Sequence, residues 1–274
     1  MELYVFNQDE SLVGILGNNG QTVTENIGEQ DAVFTRASTA YLPDGTQVAS
    51  GVPRFEAGKY GQAVVIEEAT TNLVQYPKMD TDSNGDGVVD GFRAGVWQGA
   101  NITYSRSLND TAQRIDILSS TGPASVSIVT DTSTHIPVTP GDILSASADA
   151  KIGNVVGSFR SVLILQYFDS NHTFISRVAQ CLYNTEYERI TVLNQVVPTG
   201  AAFAGIDCAA SVGDTPGSTG TGWFKNAQIE KKPYATSFTD GTRTRETLEI
   251  PTAGIINKDE GTIHIAIKPL TLQN

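Results

Sequence analysis

Between Ile102 and Glu230 the chain repeats one pattern: a run of alternating or wholly apolar residues, then a short break rich in Gly, Pro, Asp or Asn. The runs are Ile102–Ser105, Arg114–Leu118, Ala124–Val129, Ile143–Lys151, Ser161–Phe168, Glu188–Leu193, Ala202–Cys208 and Gly222–Glu230. Between them lie Thr121-Gly-Pro123, Pro140-Gly-Asp142, Asp169-Ser-Asn171, Pro198-Thr-Gly200 and the glycine-rich stretch from Gly213 to Gly222. A period of two with turn chemistry at this spacing predicts many short antiparallel strands, and so two sheets folded as a β-sandwich or jelly roll with little helix. In Ser161–Phe168 both faces are apolar, so alternation alone does not say which side chains face out. Trp223, on a strand bounded by glycines, reads as core.

The first seventy-three residues carry shorter signals. Leu3–Phe6 and Leu12–Leu16 flank the polar Asn7-Gln-Asp-Glu10, a β-hairpin pattern. From Val33 to Leu73 short strands alternate with a Pro43-Asp-Gly45 turn and glycine links. Arg36 and Arg54 stand in apolar company, and Glu67-Glu68 follows the apolar Val64-Val-Ile66. An Arg–Glu pair bracing this β-rich segment would satisfy both charges.

Between these regions lies Asp80-Thr-Asp-Ser-Asn-Gly-Asp-Gly-Val-Val-Asp90. Its D-x-N-x-D-G spacing repeats the opening of an EF-hand-type loop. Alternate residues of a tight loop would present Asp82, Asn84 and Asp86 to one point, with the Val88 carbonyl and Asp90 completing an oxygen set for a structural Ca²⁺. Arg93 stands where such a loop has its bidentate Glu, and the flanks are not helical. Affinity is therefore expected toward the roughly 10⁻⁴ to 10⁻³ M of extracellular sites. The same residues also make a metal-free Asn-Gly-Asp-Gly turn.

Charge narrows the partners. The 274 residues carry a net charge of −12, which disfavours nucleic acid and anionic membrane. No apolar run reaches the roughly 20 residues of a membrane-spanning helix, so membrane insertion is not expected. Met1-Glu-Leu-Tyr4 lacks the basic and apolar regions of a signal peptide, which places synthesis in a cytoplasm. Cys181 and Cys208 both read as buried free thiols.

Residues Phe34-x-Arg36-x-Ser38, Pro53-Arg54-Phe55, Gly61 and Ile66-Glu67-x-x-Thr70-x-Asn72-Leu73 resemble a recurrent segment of bacteriophage tail-fibre and virion-surface proteins. Pro140–Ala148, Trp223–Glu230 and Pro233–Phe238 resemble strands of jelly-roll carbohydrate-binding modules, and Gly261–Pro269 resembles the first strand of a concanavalin-like lectin. Such modules often hold calcium near an Asp where this chain has Lys225 or Asn226, which leaves the Asp82–Asp90 loop as the metal candidate. The resemblance implies a virion-attachment segment over 1–73, a carbohydrate-binding jelly roll over 74–240, and a linker with a lectin-like or assembly strand over 241–274. It implies a virion address in a tail, baseplate or fibre. The implied partners are copies of the chain in a homotrimer, other virion proteins and host-surface carbohydrate.

No nucleophile elbow, zinc-protease motif or phosphate loop occurs, and His135, His172 and His264 are isolated in sequence. The chain therefore reads as a non-enzyme, with a purely structural spacer or head-decoration protein as the alternative. A glycan-degrading enzyme would need two facing carboxylates, for which Asp116, Asp149, Asp169 and Asp207 are candidates. A sugar site needs rings to stack on and polar groups for the hydroxyls. Trp97, Tyr104, Tyr167 and Tyr183 are the candidate rings, and Arg160 and Gln166 the candidate hydrogen-bonding groups.

Overall fold

A computed structural model describes residues 33–249 except 59–60, 97–99, 108 and 110, together with the backbone of Val5–Phe6, Leu12–Leu16 and Thr22–Val23. The chain divides into two compact units: Thr71–Gly241, and Met1–Thr70 together with Thr242–Asn274.

The larger unit is an antiparallel β-sandwich of jelly-roll type, as the alternation predicts. Its strands are β1 (Phe92–Val96), β2 (Ala100–Ser107), β3 (Ala112–Ser120), β4 (Ala124–Thr130), β5 (Ile136–Pro137), β6 (Ile143–Val156), β7 (Phe159–Phe168), β8 (Phe174–Leu182), β9 (Glu188–Val196), β10 (Phe203–Val212) and β11 (Thr219–Glu230). A six-stranded sheet runs β1-β4-β10-β7-β8, with β5 also paired to β10. A five-stranded sheet runs β2-β3-β11-β6-β9. The described residues contain no α-helix and a single 3₁₀ turn at Thr132–Thr134.

One core fills the space between the sheets. β7 contributes Leu163, Leu165 and Tyr167, and β10 contributes Ala204, Ile206, Cys208 and Ala210. The five-stranded sheet answers with Ala146, Ala148 and Ala150 on β6, Ile115 and Ile117 on β3, and Phe224 on β11. Small alanines opposite large side chains let the two layers interdigitate. The strict period of two also corrects three readings. Tyr167 is buried in the core with 2% exposure, so it offers no face to a sugar. Trp223 is half-buried on the opposite side of its strand from Phe224, not core. Cys208 is buried, but Cys181 is exposed on β8, a strand the turn spacing did not separate.

The other unit begins with the expected hairpin, Val5 opposite Gly14 and Phe6 opposite Leu12. Residues 242–249, read as the start of a linker, return to this unit: Thr247–Glu249 pairs with Val33–Thr35. The anticipated bracing is present and larger than one pair. Glu67 accepts from Arg54 at 2.6 Å and from Arg243 at 2.7 Å, and Glu246 accepts from Arg36 and Arg54, each at 2.9 Å. All five side chains are at most 3% exposed. Burial works against the Arg54 charge, but the Glu67 and Glu246 carboxylates more than reverse this and raise its pKa. Glu246 also accepts the Glu67 N–H at 2.8 Å.

Removing one partner of such a network leaves an uncompensated buried charge, at a cost of about 3–5 kcal/mol. Glu246→Ala is therefore expected to destabilise this unit by about that amount, read as a shifted urea midpoint.

Candidate functional site

Because Leu163, Leu165, Ile206 and Cys208 face the core, their neighbours on β7 and β10 must face outward. The register aligns them into cross-strand rows: Arg93, Val129, Asp207, Ile164 and Ala179 in one, and Gly95, Ser127, Ala209, Val162 and Cys181 in the next. Gln166 and Arg177 lie opposite each other one row along, and Arg160 lies opposite Ser211 at the far end. Val162, Ile164 and Ala209 form a small apolar cluster separate from the main core. The middle of the face, Ser127, Asp207, Ala209 and Gln166, is buried, whereas Arg93, Arg177, Ala179 and Cys181 on the edge strands are exposed. A buried middle between exposed margins makes a trough.

The polar floor of this trough is incompletely satisfied. Gln166 Nε2 donates to Asp207 Oδ2 at 2.9 Å. Asp207 Oδ1 and Arg160 Nε are buried and have no hydrogen-bond partner among the described residues. Burial pushes the Asp207 carboxyl up to about 7; the Ser127 hydroxyl and the charges of Arg177 and Arg93 pull the other way. Unmet buried groups of this kind are costly, and sites that bind polar ligands are where they persist.

The sequence candidates distribute as follows. Gln166 and Arg160 lie on this face. Tyr183, 64% exposed, stands one residue beyond β8, level with Arg160 by continuation of the register. Tyr104 is half-buried against the core, and its hydroxyl donates to the Ser127 carbonyl at 3.1 Å; burial first, and then the Asp207 charge, push its pKa up to about 12. Tyr104 therefore bridges the sheets rather than lining the trough. Trp97 and the Gly261–Pro269 strand lie outside the described residues.

Sequence reasoning missed the end of the trough. His172, read as an exposed loop residue, is half-buried and stacks on Phe203 at 4.3 Å, while His135 stacks on Phe168 at 4.2 Å. Their Nδ1 atoms are 2.9 Å apart, so one ring donates and the other accepts. Burial, then the neighbouring His172 and Arg93, lower the His135 pKa. A separation of thirty-seven residues left no sequence signal.

The Asp82–Asp90 loop is fastened to the sandwich. Gln113, fully buried, accepts the Val89 N–H at 2.9 Å and donates to the Gly87 carbonyl at 3.0 Å. Gly87 has φ +86°, and a Cβ there would run into the Tyr104 carbonyl. Within the loop, Asp82 accepts from the Gly85 and Gly87 N–H groups, Asp86 from Val88 and Asn84, and Asp90 from Ser83. The Ser83 bonds lower the Asp90 pKa. The residue types suit a hard cation, but their oxygens are turned onto local N–H and O–H donors. Among the described residues no three His, Cys, Asp or Glu side chains are grouped to hold an ion.

No family model and no curated protein matches the chain. Solved structures do. A carbohydrate-binding module of the β-sandwich superfamily aligns with TM-score 0.48 and 9% identity over 83% of this chain and 96% of its own. A module crystallised with β-1,4-galactotriose aligns with TM-score 0.36 and 11% identity over 58% and 97%. The enzymatically active domain of bacteriophage CBA120 tailspike protein 4 aligns with TM-score 0.38 and 14% identity over 55% of this chain, which spans only 21% of the tailspike.

The raised Asp207 pKa has a testable sign. The unfolded carboxyl titrates near 3.8 and the folded one near 7, so the folded state holds the extra proton between them. This group's contribution is most favourable below pH 4 and is lost as pH rises to about 7, by at most about 1.4 kcal/mol per unit. Asp207→Asn is expected to be more stable than the parent at pH 8 and nearly equal at pH 4, measured by urea denaturation.

Proposed function

We propose that this chain is a non-enzymatic adhesion component of a phage virion, in a tail, baseplate or fibre, and that the trough of the six-stranded sheet binds a host-surface glycan. The observation that carries the reading is the pair of buried, unpartnered groups on one outer face, the acceptor Asp207 Oδ1 and the donor Arg160 Nε. A sugar hydroxyl both donates and accepts, so a bound saccharide satisfies both without importing a charge. Val162, Ile164 and Ala209 supply apolar floor between them, and Tyr183 stands by the Arg160 end for ring stacking. The non-enzymatic reading rests on the sequence, which carries no hydrolase motif. The virion setting and the homotrimer, with other virion proteins as partners, rest on the sequence resemblance.

A glycan array followed by calorimetry tests the trough. Gln166→Ala and Arg160→Ala are each expected to weaken binding at least tenfold while leaving the melting temperature within a few degrees. Unchanged affinity in both removes the trough as the site, and an array with no binder favours the structural spacer. Light scattering is expected to give a trimer.

Calcium belongs to the same proposal. Asp82, Asn84, Asp86, the Val88 carbonyl and Asp90 would hold it, and it would stabilise the loop electrostatically. It must displace the present hydrogen bonds, so binding is expected to be weak, at roughly 10⁻⁴ to 10⁻³ M. Melting in millimolar calcium is expected several degrees above melting in chelator, with Asp86→Ala removing the difference. Identical curves would leave the loop as a hydrogen-bonded turn.

A further inference from the structure

Among the described residues each sheet of the sandwich ends on two strands with one open side, and three of these four edges are blunted. β1 is only 5 residues long. β2 shifts register at Asn101/Ile102, and its Arg106 reaches off the strand to donate to the Asp80 carbonyl at 2.6 Å. β9 carries Glu188 and Arg189, and its pairing breaks around Asn194, which is left-handed at φ +54°. Shortness, charge and bulges are what keep a sheet edge from adding another strand. β8 differs. It contains no lysine, proline or acidic residue, and from Ser176 to Leu182 it follows β7 in unbroken register, its one irregularity falling earlier, near Phe174.

The core runs out into solvent at this edge. Ser176, Val178 and Gln180 lie opposite Tyr167, Leu165 and Leu163, so they share the core side of the sheet. Leu165 is fully buried, yet Val178 is 36% exposed, because β8 is the last strand on that side. Arg177, Ala179 and Cys181 lie on the trough side. Phe174 and Ile175 are exposed at the start of the strand, and Tyr183 just past its end.

The strand is complementary to itself. Laid antiparallel to a second copy about a two-fold axis at Val178, it sets Val178 against its own copy, Ser176 against Gln180 and Arg177 against Ala179, with Ile175 near Cys181. Apolar meets apolar at the centre, hydroxyl meets amide beside it, and no arginine opposes an arginine. Moving the axis to Ala179 sets Val178 against Gln180 and Ser176 against Leu182; moving it to Arg177 opposes two guanidinium groups. The net charge of −12 is not concentrated here: the nearest acidic residues in sequence, Asp169 and Glu186, stand beyond the two ends of β8. The Arg177 charge acts on Asp207 of its own sheet.

We propose that β8 is a self-pairing edge, and that two copies of the chain join antiparallel across Ser176–Gln180 so that their six-stranded sheets become one. The axis stands perpendicular to the joined sheet, so both troughs open on the same side. Five strand spacings separate the two Asp207 positions, about 24 Å. On the glycan reading of the trough, a polymer that spans both gains an effective concentration that a short oligosaccharide does not. One strand edge is a small interface, so the pairing is weak and concentration-dependent, and it joins assemblies rather than replacing the trimer.

Cross-linking and sedimentation of the full chain test this. In a Cys181→Ser background, Val178→Cys is expected to give a covalent dimer with a short bismaleimide. Gln180→Cys, which the axis sets well out of step with its own copy, is expected to give at least tenfold less. The sedimenting mass of the parent is expected to double at high concentration, and Val178→Lys to abolish the doubling with melting unchanged within a few degrees. Equal cross-linking from both cysteines, or no doubling in the parent, would overturn the proposal. Doubling that survives Val178→Lys would assign the contact to another surface and overturn it as well. Neither measurement needs glycan, so failure of the trough as a sugar site leaves their result standing.

Discussion

Two glutamates buried among three arginines are the constraint on which the N-terminal unit depends. Neither charge set is tolerable alone in a dry interior, so all five side chains must arrive together. Glu246 and Arg243 lie beyond the sandwich in sequence, whereas Arg36, Arg54 and Glu67 lie before it. The unit therefore cannot close its charge balance until the chain has made the whole sandwich and come back. A network of this kind adds little net stability over well-packed apolar groups of the same volume, although losing any one partner is costly.

The sandwich works on a different principle. Its core asks only that one side of every strand be apolar, which leaves two outer faces free to differ. The six-stranded face carries an apolar floor with a partly unsatisfied carboxylate–amide pair. The five-stranded face carries rings and ammonium groups. Residues of adjacent rows belong to opposite environments, so a single strand such as β11 serves the core through Phe224 and solvent through Trp223.

Strand parity explains what was readable beforehand. The fold class followed from alternation and turn residues alone, and the main runs reappear as β2, β3, β4, β6, β7, β9, β10 and β11. The parity of Trp223 against Phe224 puts the indole on the outer face, against its reading as core. On β7 parity was mute, because Val162 and Ile164 make the outer face as apolar as the inner one; only the partner strands separate Gln166 from Tyr167. β8 escaped because an edge strand with exposed Phe174, Ile175 and Val178 shows no polar side. The His135–His172 contact and the Arg243 and Glu246 contributions depend on distant pairing, for which a lone sequence carries no signal.

The two ends of the sandwich meet. The Asn72 N–H donates to the Gly241 carbonyl at 2.8 Å, and the Asn72 side chain donates to the Ala227 and Thr239 carbonyls while accepting from Val74 and Ile229. A domain whose entry and exit are stitched at one point occupies no more of its host than a surface loop does. Such a domain can be exchanged as a cassette, its outer faces changing while the charge-locked part of the chain stays the same.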